Sequence, residues 1–511
     1  MSMNTSIGIM DIGSNSIRLV IYELSENGAY RVVSEHKNSA RLSERIGPDG
    51  LLHSKDILSI VPILSHYAIL CTAHNVSTVR ITATAAIRNA TNSEEIVRIL
   101  EEQTGLSIIV LSGEEEARFG FLGVINTIDI QDGIIVDIGG GSTEVTLFGN
   151  RKLLKSISFP FGSVNTTRQY TKNGLPTESE TATIRQMVIE AIKEHPWITD
   201  SPDLPMIGLG GTIRALGKMS QKRFKSSIQL AHNYMVQPGE IDFFLKLLTP
   251  LSIDKRKRVD GLSKERADII VPGLIILNTL CEAVKASQLI ISGSGLRDGL
   301  FYEIIHPEQP IVDDVLDASI QNLLLLHPGE ALQHVRHVNK IALKLYDKLA
   351  PLKQLKERTR RYLHAASLLY RIGTGIHYYQ YSKHTQYIIA HARIDGFTHR
   401  EIAICSLIAS YKTKSRTHQA ALLYKDLVDI SDEWLIHELG TLLHLAIALD
   451  HSETQPVQDL DITQNDKTLT LKLLCSHNPV IEMKEISDHA KDFEKVWLLK
   501  IKAQAGVFST N

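Results

Sequence analysis

The N-terminal part of the chain alternates short apolar runs with tight polar turns. Residues 7–10 are apolar and lead to Asp11, a turn rich in Gly, Ser and Asn follows, and residues 17–22 are apolar again. After another polar turn, a third run begins at Tyr30. Short apolar runs separated by turn-forming residues are typical of consecutive β-strands. The pattern therefore predicts a sheet in this part of the chain.

The same pattern recurs from residue 133. Residues 133–137 form an apolar run that ends in Asp, residues 139–142 form a turn, and residues 143–148 and 152–159 form two more runs. The two segments share residue types in the same frame: Asp11 with Asp137, Gly13 with Gly139, and Ser16 with Ser142. A shared frame with matching flanks predicts an internal duplication. Two such halves would face each other across a cleft, and each would contribute a strand–Asp–x–Gly loop.

Beyond about residue 310 the pattern changes from strands to helices. Gln309, Pro310 and two acidic residues at 313–314 predict a linker, and Leu and Ala then recur with helical spacing to about residue 450. The last stretch alternates again, and two segments in it predict strands, residues 468–474 and residues 496–501. We therefore expect an α/β fold with four parts: domain I at 1–125, domain II at 126–308, an all-α domain at 315–453, and a small α+β unit at 454–511.

Composition narrows the class of protein. The chain has 511 residues, too many for one core, with 43% apolar and 22% charged residues and a net charge of −2. That charge gives no global field for nucleic acid, so we expect no nucleic-acid partner. Four widely spaced cysteines, no secretory signal at the N-terminus and no apolar stretch near about 18 residues predict a cytoplasmic protein without an integral membrane segment.

The two repeated loops carry the first candidate chemistry. Glycine lets the backbone approach a ligand closely, and N–H and hydroxyl groups bind phosphate oxygens. Asp137 and Glu144 bracket the second loop, where they are candidate ligands of a hydrated Mg²⁺ ion, which prefers one or two carboxylates plus water. The candidate substrate-binding residues of the loops are Asp11, Gly13, Ser14, Asn15 and Ser16 in the first, and Gly139, Gly140, Gly141, Ser142 and Thr143 in the second.

Four further segments add candidate groups. Ser112 and Glu115 have capping-box spacing, and one of the three glutamates at 114–116 is a candidate general base, although spacing alone does not choose which. Arg88 follows a short strand and suits bidentate phosphate binding. Glycines at strand-to-helix junctions, which favour phosphate, occur at 208–212, with Gly211 and Thr212 as candidates, and at 292–295.

Taken together, these segments resemble the exopolyphosphatase/guanosine pentaphosphate phosphatase (Ppx/GppA) family, within the actin, sugar-kinase and heat-shock ATPase (ASKHA) superfamily. The matching motifs run in the family's order from residue 11 to about residue 305. The resemblance implies an N-terminal half of two actin-like, ribonuclease H-like domains and a Mg²⁺-dependent attack of water on a terminal phosphate without a phosphoenzyme. It also implies roles for Glu116 as base, for Asp137 and Glu144 as metal-binding and water-positioning acids, and for Arg88 and both loops as phosphate binders. It is compatible with a homodimer.

The helical half is similar to HD phosphohydrolase domains, but the resemblance is weaker there. Tyr370 and Arg371 stand where that family has its metal-binding His-Asp pair. Arg cannot give up its charge, so we expect a noncatalytic domain, with His377, His384 and Asp450 as the remaining metal-ligand types. Basic clusters at 358–361 and 412–416 suggest that this half grips a long polyanion.

Several functions remain open at this stage. The leading hypothesis is an exopolyphosphatase that acts on inorganic polyphosphate, and the second is removal of the 5′ γ-phosphate from guanosine pentaphosphate. The motifs do not separate these two. A sugar kinase or ATPase of the same superfamily is a third hypothesis, because fold does not fix function, and a catalytically silent nucleotide sensor is a fourth.

Overall fold

The computed structural model describes residues 5–172, 174–237, 239–327 and 332–507. The chain divides into two compact units, residues 1–315 and residues 316–511. The first unit contains two mixed sheets, and the second contains helices followed by a small sheet.

The first sheet forms one lobe of the first unit, with strand order β3-β2-β1-β4-β5. β1 pairs antiparallel with β2 and parallel with β4. The antiparallel strands β2 and β3 therefore lie on one side of β1, and the parallel strands β4 and β5 lie on the other. The strands are β1 Thr5–Ile12, β2 Ser16–Leu24, β3 Tyr30–Ser39, β4 Val76–Ala83 and β5 Ile109–Val110. The helices are α1 Leu42–Arg45, α2 Ser54–Leu58, α3 Val61–Ala73, α4 Ala85–Arg88, α5 Ser93–Thr104 and α6 Gly113–Ile125.

The second sheet repeats this arrangement in a second lobe, with strand order β10-β11-β9-β6-β7-β8. β6 pairs antiparallel with β7 and parallel with β9, as β1 does with β2 and β4. The strands are β6 Gly133–Ile138, β7 Thr143–Gly149, β8 Lys152–Phe159, β9 Met206–Leu209, β10 Tyr234–Val236 and β11 Leu289–Ile291. The helices are α7 Ser163–Tyr170, α8 Glu178–Lys193, α9 Gly210–Phe224, α10 Gly239–Leu248, α11 Ile253–Arg256, α12 Ile270–Val284 and α13 Leu296–Ile305.

The predicted duplication is confirmed down to one hydrogen bond. In the first loop the N–H of Gly13 donates to the carbonyl of Ser16 over 3.2 Å, and in the second the N–H of Gly139 donates to the carbonyl of Ser142 over 3.0 Å. Both loops therefore have the same turn, at the same place in the same strand arrangement.

Helices α6 and α13 cross closely where the two lobes meet. A Cβ on Gly123 of α6 would overlap the carbonyl oxygen of Gly295, and a Cβ on Gly299 of α13 would overlap the carbonyl oxygen of Phe119. Buried residues of both sheets, such as Ile9 and Ile135, pack in the same cluster as these helices. Glycine is required at both helix positions because any side chain would separate the backbones.

The segment Ser54–Ala73 is an exception to the expectation that no apolar stretch approaches the length of a membrane span. It is long and apolar enough to cross a membrane by length and composition alone, with a mean hydropathy of 1.5, and among the described residues it is the one segment of that kind. Here it forms two helices, α2 and α3. Leu64, Tyr67 and Cys71 of α3 pack into the core of the first lobe, and 28% of the apolar window is buried.

Among the described residues, the second unit begins with seven α-helices. They are α14 Val315–Leu325, α15 Leu332–Lys353, α16 Glu357–Leu369, α17 Tyr381–His391, α18 His399–Ala409, α19 Lys414–Ala421 and α20 Ile430–Ala448. The C-terminal part then adds β12 Val457–Asn465, β13 Thr468–Cys475, α21 Val480–Trp497 and β14 Lys500–Val507. β13 is the central strand of this sheet, antiparallel to β12 and parallel to β14.

One of the two predicted C-terminal strands is partly wrong. The segment 468–474 lies in β13, but the segment 496–501 begins inside α21 and enters β14 only at Lys500. Trp497 is buried at the end of the helix, where its indole N–H donates to Thr441 Oγ1 over 3.1 Å. A short apolar run cannot distinguish a buried helix end from a strand.

Candidate active site

The two glycine loops lie against each other at the base of a cleft between the lobes. A Cβ on Gly141 would lie 2.8 Å from Ser14 Oγ, and a Cβ on Gly140 would lie 3.0 Å from Ser14 Cβ. Gly140 and Gly141 therefore make room for the opposite loop. The predicted residues that line the cleft are Asp11, Gly13, Ser14, Asn15, Ser16, Glu116, Asp137, Gly139, Gly140, Ser142, Glu144 and Gly211.

Four predicted residues do not line the cleft. Thr143 is fully buried and its hydroxyl donates to the carbonyl of Phe161 over 2.7 Å. Thr212 is also fully buried, and Gly141 faces Ser14 and Ser43. The fourth, Arg88, lies just behind the carboxylates. The structure therefore gives Thr143 and Thr212 packing environments, although they belong to the motifs that build the site.

Geometry separates the three glutamates at the start of α6. Glu115 forms the capping box, because its carboxylate accepts the N–H of Ser112 over 2.8 Å and its own N–H donates to Ser112 Oγ over 3.1 Å. Of the three, Glu116 alone lines the cleft. Glu114 is exposed. Sequence spacing could not tell which glutamate faces the cleft, whereas the geometry of the helix shows that it is Glu116.

Arg88 lies between two carboxylates. Its Nη1 donates to Glu116 Oε2 over 2.7 Å and to the carbonyl of Leu111 over 2.9 Å, and its Nη2 lies 4.0 Å from Glu144 Oε1. In this structure the guanidinium thus contacts carboxylates at the edge of the cleft.

The carboxylates of the cleft are buried and close enough to repel one another electrostatically. Burial raises the pKa of Asp137 to about 6, and burial together with the charge of Asp137 raises the pKa of Glu144 to about 7. Burial and the charge of Glu144 raise the pKa of Glu116 well above its ordinary value, and burial raises that of Asp11. Buried like charges favour either protonation or a nearby cation.

Asp137 and Glu144 fit a hydrated Mg²⁺ ion. They are direct cross-strand partners on β6 and β7, so their side chains lie on the same face of the sheet, and both line the cleft. Ser158 on β8 donates to Glu144 Oε1 over 2.7 Å and fixes that carboxylate. Within the described ranges no group of three or more His, Cys, Asp or Glu side chains forms a metal cage. Two carboxylates with water suit Mg²⁺, which keeps much of its hydration shell.

Sequence reasoning missed a group of arginines in the cleft, which we call the arginine wall: Arg18, Arg214, Arg266 and Arg297. They also line an adjoining cavity of about 600 Å³. Burial, followed by the charges of neighbouring arginines, lowers the pKa of Arg18 and that of Arg266 to about 10. A Cβ on Gly211 would overlap the guanidinium of Arg266, which explains this glycine. Arg214 and Arg297 lie within or beside the glycine motifs, whereas no local pattern marks Arg18 or Arg266.

Ion pairs connect the lobes at the mouth of the cleft. Arg41 Nη1 of the first lobe lies 2.7 Å from Asp268 Oδ2 of the second, and Lys37 Nζ lies 2.5 Å from Glu265 Oε2. All four side chains are partly exposed, so solvent and salt screen these pairs.

The helical unit contains its own buried polar group, which we call the helical cluster: His334, Tyr370 and Asp450. His334 Nδ1 lies 2.8 Å from Asp450 Oδ2, and the Tyr370 hydroxyl hydrogen-bonds His334 Nε2. Arg371 pairs with Glu453. His377 is not part of this cluster, because its Nδ1 accepts the N–H of Gln380 at a short helical turn.

Comparisons with known proteins agree with this arrangement. The sequence model of the Ppx/GppA phosphatase family matches residues 20–308, and that of Ppx/GppA phosphatase domain III matches residues 317–488. A crystal structure of the Aquifex aeolicus member of the Ppx/GppA family is 28% identical, with a TM-score of 0.53, and covers 60% of this chain and 99% of that chain. An exopolyphosphatase structure from Cytophaga hutchinsonii, 20% identical, has the same fold, with a TM-score of 0.56 over 60% of this chain and 100% of that one.

Proposed function

The chain belongs to the Ppx/GppA phosphatase family, and from this premise we propose that it is an exopolyphosphatase that releases terminal phosphate from inorganic polyphosphate by Mg²⁺-dependent attack of water in the cleft. The family is one of phosphatases, so the chain is a hydrolase. The substrate, the metal and the roles of individual residues are the content of the proposal.

The observation that carries the proposal is the lining of the cleft. Glycine loops, acids and the arginine wall make up most of it, and among the described residues that line this cleft and the adjoining cavity none is aromatic. Purine recognition usually uses stacking on an aromatic or apolar surface, whereas a polyanion needs donors and positive charge. A substrate made of phosphate groups alone uses the glycine loops and the arginine wall, which make up most of this lining.

In the proposed mechanism Glu116 is the general base. Arg88 holds Oε2 of Glu116, which leaves Oε1 to accept a proton from the attacking water. The water oxygen forms a bond to the terminal phosphorus, the bridging P–O bond breaks, and its electron pair stays on the oxygen of the shortened chain. A positioned base of this kind contributes about 10²–10⁴-fold to the rate.

The remaining groups bind and orient the substrate. In this proposal, backbone N–H groups and hydroxyls of the two loops, at Ser14 to Ser16 and at Gly140 to Ser142, hold the terminal phosphate oxygens, and the arginine wall holds the phosphates behind them. Mg²⁺, held by Asp137 and Glu144, would supply neutralisation of charge on the phosphoryl oxygens.

Phosphate release from long polyphosphate and from guanosine pentaphosphate, assayed in parallel with Mg²⁺ and with a chelator, tests the proposal. We expect Mg²⁺-dependent release from polyphosphate without any sugar acceptor. Release from guanosine pentaphosphate alone would overturn the proposal in favour of the second function, and phosphate transfer only in the presence of a sugar would indicate a kinase.

Guanosine pentaphosphate is the second candidate substrate because of the cavity that adjoins the cleft. At about 600 Å³, lined by the arginine wall together with Lys37 and Lys218, it has room for a second phosphorylated arm. A substrate with phosphates on both sides of a ribose would occupy both cavities. The parallel assay separates the two candidates.

A further inference from the structure

A cavity of about 400 Å³ lies within the helical unit, between the start of α17, the end of α18 and α19. Three of its lining residues are cations, and none is acidic. We call it the basic pocket. Its lining residues are Ser382, Lys383, Gln386, Leu407, Ser410, Lys412, Arg416, Thr417, Gln419 and Ala420. Its volume falls within the range of about 300–1,000 Å³ that small-ligand sites occupy.

The cations of the basic pocket differ from others in this unit. Lys383, Lys412 and Arg416 make no ion pair with any residue that the structure describes. Elsewhere in the unit, Arg358 lies 2.7 Å from Glu401, and Arg360 lies 2.7 Å from Asp347, so the basic cluster at 358–361 is largely neutralised by the protein itself. In the cluster at 412–416, Lys412 and Arg416 are not neutralised by an acidic side chain that the structure describes.

The helix ends around the pocket add to the positive potential. Lys383 lies in the first turn of α17 and Arg416 in the first turn of α19, and neither first turn contains an acidic residue. A cation at a helix N-terminus opposes the helix dipole, so both positions are locally unfavourable. A cation is favourable near the C-terminus of α18, so the helix dipole can account for Lys412 but not for Lys383 or Arg416. Local helix stability therefore does not account for Lys383 and Arg416, and the three exposed cations are accessible to an anion in the pocket.

We propose that the basic pocket binds a ligand that carries a diphosphate group, at a site separate from the catalytic cleft. Three cations and two helix N-termini match two or more negative charges. The hydroxyls of Ser382 and Thr417 and the amides of Gln386 and Gln419 supply further hydrogen bonds, and Leu407 and Ala420 supply an apolar side. The same group occurs in inorganic pyrophosphate, in a nucleoside diphosphate and within a polyphosphate chain.

Binding of methylenediphosphonate, a diphosphate that resists hydrolysis, to the full chain tests the site by titration calorimetry. We expect two classes of site in the wild type, one in the cleft and one in the basic pocket. Lys412→Gln with Arg416→Gln should weaken one class about tenfold or more, the scale of a lost charge-assisted contact. The matched control, Lys425→Gln with Lys491→Gln, removes the same charge from exposed positions outside the pocket and should leave both classes intact.

The other class belongs to the cleft, and Arg18→Gln with Arg266→Gln should weaken it selectively. Loss of all binding in that cleft variant would overturn the basic pocket, as would equal affinities in the pocket variant and its control. Titration with pyrophosphate, ADP and long polyphosphate then identifies the source, as the ligand whose affinity falls most in the pocket variant. Phosphate release is measured separately, so failure of the pocket and failure of the proposed function are distinguishable.

Discussion

The cleft of the first unit and the helical cluster of the second are both buried and polar. They differ in whether their polar and charged groups have complementary partners. In the helical cluster, His334, Tyr370 and Asp450 satisfy one another. In the cleft, burial and the charge of Asp137 raise the pKa of Glu144, and burial and the charge of Arg18 lower that of Arg266, although the charge of Arg214 partly offsets the effect of burial on the pKa of Asp137. Buried charge is costly unless it is compensated. The difference teaches that the helical cluster is complete as it stands, whereas the cleft keeps buried like charges that a ligand or cation would help to compensate.

The change with the largest expected effect is Glu116→Gln, which would break the cleft's chemistry and leave its shape intact. The amide cannot accept a proton, so we expect turnover to fall about 10²–10⁴-fold. Glu114→Gln, an exposed change in the same helical turn, is the control. Wild-type turnover in cooperatively folded Glu116→Gln would refute the assignment of the base.

The second change, Asp137→Asn or Glu144→Gln, removes one of the opposing acids. Each should raise the Mg²⁺ concentration for half-maximal activity by about 10–100-fold, the scale on which metal sites respond to altered ligand shells. Asp132→Asn, at the far end of the same hairpin, is the control, since Asp132 accepts the N–H of Asn150. Mg²⁺ titrations that overlay those of the wild type would mean that these acids do not hold the metal.

The third change reduces the positive charge of the cleft. Arg18→Gln and Arg266→Gln should each raise KM for long polyphosphate about tenfold, with a smaller effect on kcat, because these guanidinium groups line the cleft in which we propose that the substrate binds. Arg98→Gln, an exposed surface change, is the control. A fall in kcat at constant KM would assign these arginines to the chemical step.

The smallest effect on catalysis is expected in the helical cluster. Tyr370→Phe removes the hydroxyl that hydrogen-bonds His334, so we expect a loss of about 1–3 kcal/mol in the free energy of unfolding. Phosphate release should be unchanged at a temperature where the variant is folded. A large fall in activity without loss of fold would show that the two regions are not as different as the structure indicates.

The sequence predicted best what is encoded locally. The loops at Asp11 and Asp137 are strand–turn–strand patterns, so their position and duplication could be recognised before the fold was known. Arg18 and Arg266 are far apart in sequence and meet only through tertiary packing, so no spacing rule finds them. Trp497 belongs to an apolar run whose helical partners precede it, and His334 finds Asp450 across more than one hundred positions of the chain.

The close crossing of α6 and α13 has a mechanical consequence. α6 carries Glu116 near its start and α13 carries Arg297, while Gly123 and Gly299 leave no side chain between the helices. At the mouth, exposed ion pairs such as Arg41 with Asp268 are worth about 0–1 kcal/mol each. A motion that opens the cleft is therefore resisted by the close packing of α6 against α13, the seam, on one side. On the other side it has to break only weak, salt-sensitive ion pairs. The lobes would swing about the seam, so substrate entry would widen the mouth while Glu116 and Arg297 keep their relative positions.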